Sequence, residues 1–321
     1  MISAERLTKR FGAFTAIEDV SFEVARGEIV GFLGPNGAGK STTMRILAGV
    51  FPPSHGQVRI DGHDMVRDAL RARALVGYFP ERVSVYVDMT VQHYLRYVGE
   101  MKGLRRRDAR RAAGIALASC SLEPVADRLI GTLSKGFRQR VGIAQALVGA
   151  PRVLILDEPT AGLDPEQVAD MRALIRDLRA ERTVILSTHI LPEVEAICDR
   201  VIIIHRGRVL ALDTPANLNR RVRRSTQVVV EANGPPAEVL AALRAVPGVR
   251  AVEPQPGDAA HLVVSADRDR DLREDLAAAI VARGWGLREL RPKTLTLEEI
   301  FLALVATPSE SEWTEGPSRA M

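Results

Sequence analysis

The chain is poor in sulfur, has no long apolar run and carries little net charge. Its 321 residues include only two cysteines, Cys120 and Cys198, and neither sits in a C-x-x-C or Cys/His cluster. That excludes a disulfide scaffold and a thiolate zinc site, and leaves buried reduced thiols. No uninterrupted apolar run approaches the ~18 to 20 residues needed to cross a bilayer. The N-terminus, MISAERLTKRFGAF, lacks the apolar core of a secretory signal, so a cytosolic protein is expected. Lys and Arg number 44 against 40 Asp and Glu, a formal net charge of +4. Scattered arginines of this kind do not make the dedicated basic surface that nucleic acid requires. Two clusters stand out, Arg105 to Arg107 with Arg110 and Arg111, and Arg220, Arg221, Arg223 and Arg224. Both read as a solvated helix face or a linker, with anionic headgroups or a partner as the functional alternative. No internal repeat is visible.

What remains is an ordinary globular composition, 46% hydrophobic and 26% charged, at a length that implies two domains. The first 30 residues alternate polar and apolar positions, as antiparallel strands do, and Gln57 to Gly62 forms a further short strand. From Thr90, apolar residues Val91, Tyr94, Leu95, Val98 and Met101 recur at helical spacing, and Ala- and Arg-rich helical segments follow. Short apolar runs return at Arg152 to Pro159, Thr183 to His189 and Arg200 to Asp213; the first two read as buried parallel strands joined by a helix over Val168 to Leu178. Beyond Pro215 the order is strand, helix, strand, strand, helix, strand, which is that of a ferredoxin-like βαββαβ fold.

The residues that point to chemistry begin at Gly34. The apolar strand Glu28 to Leu33 feeds directly into Gly34-Pro35-Asn36-Gly37-Ala38-Gly39-Lys40-Ser41-Thr42. Small residues let backbone N–H groups converge on phosphate oxygens, Lys40 adds a point charge, and the Ser41 hydroxyl suits Mg²⁺. The helix that follows turns its positive end to the same place. A nucleoside triphosphate is the expected ligand. Asp157 and Glu158 end a second apolar strand, and adjacent strand residues point to opposite sides. Asp157, at the end of a strand beside a phosphate loop, is assigned to Mg²⁺. Glu158 is then the candidate general base or water-orienting residue. Leu133 to Gln139 precedes a helix, and Ser134 is suited to cap it.

Taken in order and spacing, these motifs resemble the ATP-binding subunit of ABC transporters over about residues 1 to 215. Gly34 to Ser41 resembles the Walker A loop, Val153 to Glu158 Walker B, Leu133 to Phe137 the signature sequence, and Ala161 to Asp164 the D-loop. The resemblance implies that Phe11 stacks on adenine, that His189 contacts the γ-phosphate, and that Ser134 and Gly136 meet ATP held by an opposing subunit. One copy of each motif then implies a homodimer with two composite sites. The sequence departs from the family where Glu81 stands for the usual Q-loop glutamine, with a possible contact to the metal. It also has Lys135 and Phe137 where the signature has glycine and glutamine. Gly77 to Glu81 (GYFPE), Leu133 to Arg140 (LSKGFRQR) and Leu297 to Phe301 (LEEIF) resemble the subgroup serving bacterial ABC-2 type exporters.

The resemblance implies an α/β P-loop NTPase cassette: a parallel sheet core, an antiparallel strand subdomain and a helical insert, with a small C-terminal βαββαβ domain. The expected boundaries are 1–215 for the ATPase domain with an insert at about 83–150, and 216–225 for an arginine-rich linker. An accessory domain at 226–305 and a disordered tail at 306–321 follow. ATP and Mg²⁺ are the expected cofactors. The expected partners are a second copy and a membrane-spanning ABC-2 type permease at the cytoplasmic face of the inner membrane, docked on the insert; Val85, Tyr86 and Tyr94 read either as contacts to it or as residues buried within the insert, and no nucleic acid is expected. The rival readings are an ABC-type ATPase acting on DNA or ribosomes and a regulatory nucleotide-binding protein.

Overall fold

A five-residue strand with every side chain buried, β3 (Ile29–Leu33), organises the N-terminal part of the computed structural model. Before it come β1 (Ile2–Phe11) and β2 (Phe14–Val24), an antiparallel hairpin. After it the chain runs through the phosphate loop into α1 (Lys40–Leu47), then β4 (His55–Ile60), β5 (His63–Asp64), α2 (Ala69–Ala74) and β6 (Val76–Phe79). The helical insert supplies α3 (Val91–Met101), α4 (Arg106–Ser119) and α5 (Lys135–Leu147). The core resumes with β7 (Val153–Asp157), α6 (Pro165–Leu178), β8 (Thr183–Thr188), α7 (Leu191–Ile197), β9 (Arg200–His205) and β10 (Arg208–Asp213). The structure describes residues 1–222, 226–255, 258–267, 271–293 and 296–306. Contacts divide them into two units that meet between Pro215 and Ala216.

In the first unit, six strands pair in the order β10-β9-β3-β8-β7-β6, and four more form a sheet in the order β2-β1-β4-β5. From β9 to β6 every pairing in the larger sheet is parallel. Buried on both faces, such strands read as continuous apolar runs, as Val153 to Leu156 and Val184 to Leu186 do. The run from Arg200 to Asp213 is two strands: Arg206 and Gly207, at φ 47° and 79°, fold it into an antiparallel hairpin. Register sets Leu33 against Thr188 and Asp157 against Ser187, so β3, β7 and β8 end side by side. Ligands bind at such carboxyl ends, because the loops leaving them converge there.

The insert is a packed layer. Thr90 caps α3 by accepting the His93 N–H at 3.3 Å, and Val91 and Leu95 are fully buried at helical spacing. Tyr94 is 3% exposed, and its hydroxyl donates to Gln145 Oε1 at 2.6 Å. Of the two readings open for Tyr94, burial holds and the docking contact does not: a ring sealed in the core has no free face. Tyr86, 56% exposed and edge-on to Tyr94 at 6.0 Å, keeps an outward surface. Val85 is half-buried against the core.

The chain enters the second unit along α8 (Pro215–Val222), so part of the stretch read as a linker is helix. Then follow β11 (Thr226–Asn233), α9 (Pro236–Arg244), β12 (Val249–Gln255), β13 (Asp258–Ala266), α10 (Arg273–Val281), β14 (Gly286–Pro292) and α11 (Leu297–Ala306). The four strands are antiparallel in the order β12-β13-β11-β14, which is the ferredoxin-like order. Val228, Val230, Val252 and Val264 pack with Val239 and Leu243 of α9 and Leu276 and Ile280 of α10. The tail beyond Ala306 lies outside the described residues, as do 223–225 of the expected linker. No helix among the described residues is long and apolar enough to cross a membrane.

Candidate functional site

The phosphate loop is held by positions where a side chain has no room. A Cβ on Gly34 would stand 2.3 Å from the Ile204 carbonyl oxygen. Gly39, with φ 107°, lies in the left-handed region, and a Cβ there would meet Ile17 Cγ2 at 2.6 Å. Between them the Ala38 N–H donates to the Pro35 oxygen at 3.2 Å, and Ala38 itself is buried. Helix α1 starts at Lys40 with no acidic residue in its first turn, which leaves its positive end uncompensated. The loop borders a cavity of about 410 Å³ lined by Pro35, Asn36, Gly37, Gly39, Lys40, Ser41 and Thr42. Glu81, Glu158 and His189 line the same cavity.

Lys40 is 5% exposed and fully engaged. Its ammonium donates to the carbonyl oxygens of Gly34 at 2.7 Å and Pro35 at 3.3 Å, and pairs with Glu158 Oε1 at 3.4 Å. The other Glu158 oxygen lies 2.9 Å from His189 Nδ1. Strand alternation stops at Asp157, the last residue of β7; Glu158 takes φ 51°, in the left-handed region. A residue with a Cβ pays roughly 1–2 kcal/mol there. The strained turn is fixed by the Glu158 N–H, which lies 3.1 Å from both the Ser187 hydroxyl and the Ser187 carbonyl oxygen.

Asp157 is wholly buried. Its Oδ1 accepts from the hydroxyls of Ser187 at 2.5 Å and Ser41 at 3.1 Å. Its Oδ2 is buried with no hydrogen-bond partner. Burial pushes this carboxyl above its ordinary value; the two serine hydroxyls oppose the shift and the nearby charge of Glu81 adds to it. A buried carboxylate with one orphaned oxygen, a hydroxyl beside it and a second carboxylate on the cavity wall make an all-oxygen donor set suited to Mg²⁺. The residues present therefore fit that ion.

The structure separates the remaining site residues. Ser134 caps α5, accepting the Phe137 N–H at 3.3 Å. Ser134 and Gly136 line a second cleft of about 270 Å³, together with Leu163 and Gln167, and neither reaches the cavity over Lys40. Phe11 does not line that cavity either. It stands edge-on to Phe51 at 5.6 Å, with the Lys9 ammonium over both rings. Phe14, 64% exposed, lines the cavity instead. Sequence reasoning also missed Ser187, which braces both acids; the available signal was a polar residue closing an apolar strand two positions before His189.

Comparison with known proteins agrees with this geometry. The ABC transporter family profile matches residues 17–161. The linearmycin resistance ATP-binding protein LnrL of Bacillus subtilis (strain 168) is 32% identical over 305 residues, 95% of this chain and 98% of that protein. Nod factor export ATP-binding protein I of Paraburkholderia xenovorans (strain LB400) is 39% identical over 68% of this chain and 72% of its own length. Among solved structures, the dimeric post-hydrolysis state of the ATP-binding cassette MJ0796, bound to ADP and Pi, superposes with a TM-score of 0.60 and 25% identity. It covers 67% of this chain and 98% of that one. A phosphate loop in this strand setting, with a relative aligned along nearly the whole sequence, means that the chain belongs to the ATP-binding subunits of ABC transporters.

Proposed function

We propose that the chain binds and hydrolyses ATP with Mg²⁺ as one half of a homodimer and powers a bacterial ABC-2 type exporter. It would act at the cytoplasmic face of the inner membrane, on a separate permease. The observation that carries this reading is the meeting of Lys40, Ser41, Asp157, Glu158 and His189 at one end of the sheet, while Ser134 and Gly136 open on another cleft. Such a division makes sense when each nucleotide is completed by a second subunit, whose capped helix brings its positive end to the terminal phosphate. The export role is supported by the likeness to the Nod factor export subunit, and the likeness to the resistance protein LnrL extends through the C-terminal unit.

In this mechanism Lys40 exchanges its two carbonyl acceptors for phosphate oxygens, a stronger charge-assisted pairing. Ser41, Asp157 through Oδ2, and Glu81 would hold Mg²⁺, which supplies charge neutralisation to the phosphates. Glu158 takes the proton of the attacking water, and His189 at 2.9 Å holds the carboxylate in orientation. Phe14 offers the aromatic surface for the base.

Co-purification from membranes tests the partner. A multi-span permease bound stoichiometrically is the expected result; a wholly soluble complex with nucleic acid would overturn the transport reading.

A further inference from the structure

The face of the C-terminal sheet turned away from α9 and α10 carries three metal-ligand side chains in one row. In β11, Val228 and Val230 face the helices, so Glu231 projects from the opposite face. Register pairs Glu231 with Glu289 of β14, and one step past the Val230–Leu262 pair it lies beside His261 of β13. Strands β13 and β14 flank β11 on its two sides, so three hydrogen-bonded strands each contribute one side chain.

The side chains converge. His261 Nε2 is 2.7 Å from Glu289 Oε2 and 3.6 Å from Glu231 Oε2, and the three ligand atoms all lie within 4.8 Å of one another. The other oxygen of each carboxylate is held from outside: Arg291 Nε engages Glu289 Oε1, and Arg288 Nη1 engages Glu231 Oε1 at 3.3 Å. The two guanidinium groups therefore pin both carboxylates with Oε2 turned inward. The side chains of His261, Glu231 and Glu289 are 20%, 24% and 33% exposed, so solvent reaches the group while most of each side chain is packed.

We propose that Glu231, His261 and Glu289 form a divalent-cation site for a borderline metal such as Zn²⁺. Tetrahedral ligands at about 2.0–2.2 Å from Zn²⁺ stand about 3.4 Å apart, and the observed 2.7 and 3.6 Å separations bracket that spacing. An imidazole among two carboxylates favours Zn²⁺ over Mg²⁺ or Ca²⁺, which take oxygen ligands. Three protein ligands leave a fourth position for water. Because three paired strands fix the backbone, little ordering cost attends binding. The competing account is an ion-pair ladder around a protonated His261, with no metal.

The test is Zn²⁺ titration by calorimetry of the full chain, freed of metal and nucleotide, with Co²⁺ absorption reporting coordination. One equivalent of Zn²⁺ should bind, and Co²⁺ should give the visible bands of a four-coordinate ion. His261→Ala and the nearly isosteric Glu231→Gln should each weaken binding at least tenfold, while His189→Ala, in the nucleotide cavity, should leave it unchanged. Circular dichroism identifies any misfolded variant, and Glu231→Gln carries the test should His261→Ala fail to fold. Absence of stoichiometric uptake, or uptake that survives both C-terminal substitutions, would overturn the site and leave only the ion-pair ladder. Turnover of ATP enters neither arm, so failure here is separate from failure of the proposed ATPase.

Discussion

Glu158→Gln is the most informative perturbation, because it removes one charge and almost no volume. The wild-type carboxylate touches Lys40 at 3.4 Å and His189 at 2.9 Å, and its backbone is held by Ser187. None of the Ser187 contacts involves the altered atoms. Lys40 keeps its two carbonyl acceptors at 2.7 and 3.3 Å, so the phosphate loop should retain its shape. The loss should therefore fall on chemistry rather than on binding. A positioned base contributes about 10²- to 10⁴-fold, or roughly 2.7–5.4 kcal/mol of activation free energy at 1.36 kcal/mol per decade. Single-turnover release of phosphate from Mg-ATP should slow by at least about a hundredfold. The dissociation constant for ATP, measured by equilibrium binding, should hold or tighten, since a negative charge facing the triphosphate has gone. Hydrolysis at the wild-type rate would refute the role of Glu158. A proportionate loss of binding and turnover would refute the claim that the loop is independent of this side chain. Glu158→Gly serves as a second probe: at φ 51° glycine relieves strain, so the variant should be inactive without the stability loss expected of a cavity.

Four further outcomes are expected. Asp157→Asn should abolish Mg-ATP turnover yet raise the melting temperature of the nucleotide-free protein, by the equivalent of ~0.5–2 kcal/mol, because a buried charge with an unpartnered oxygen is removed; a lower melting temperature would contradict this. Ser134→Arg should block ATP-driven dimerisation, read by light scattering, while the monomer still binds ATP, and loss of binding would count against the two-subunit site. Phe14→Ala should weaken ATP binding by about 2- to 13-fold, the value of ~0.5–1.5 kcal/mol of ring stacking, and Phe11→Ala should have the smaller effect; the reverse order would restore Phe11 as the adenine contact. Tyr94→Phe should cost about 1 kcal/mol in urea unfolding through loss of the bond to Gln145, whereas Tyr86→Ala should cost ~0.5–1.5 kcal/mol through its edge-on ring contacts and also reduce recovery of the permease, which Tyr94→Phe should not.

What the sequence determined by itself was local. Gly34 to Thr42 announces a phosphate loop because the need for small residues, one lysine and one hydroxyl is written in consecutive positions. Period-two and period-3.6 patterns marked the strands and helices of both units, and the βαββαβ order of the second unit followed from them, because burial on one face imposes its period on the chain. The tertiary structure decided everything that depends on distant residues meeting. Ser41 and Asp157 are 116 residues apart, and their contact exists only because β7 lies beside β8, which lies beside β3. Ser187 is marked in a linear reading only as a polar residue near the end of an apolar strand; its role comes from standing opposite Asp157 in a parallel register. Phe11 and Phe14 are indistinguishable as aromatics near the N-terminus, and the turn between β1 and β2 sends only the second to the cavity. Helical spacing equally well describes Tyr94 as core or as surface, and packing against Gln145 chose the core. Glu231, His261 and Glu289 likewise become one group through register alone, since hydrogen-bonded strands bring together side chains that the sequence spaces about 30 residues apart.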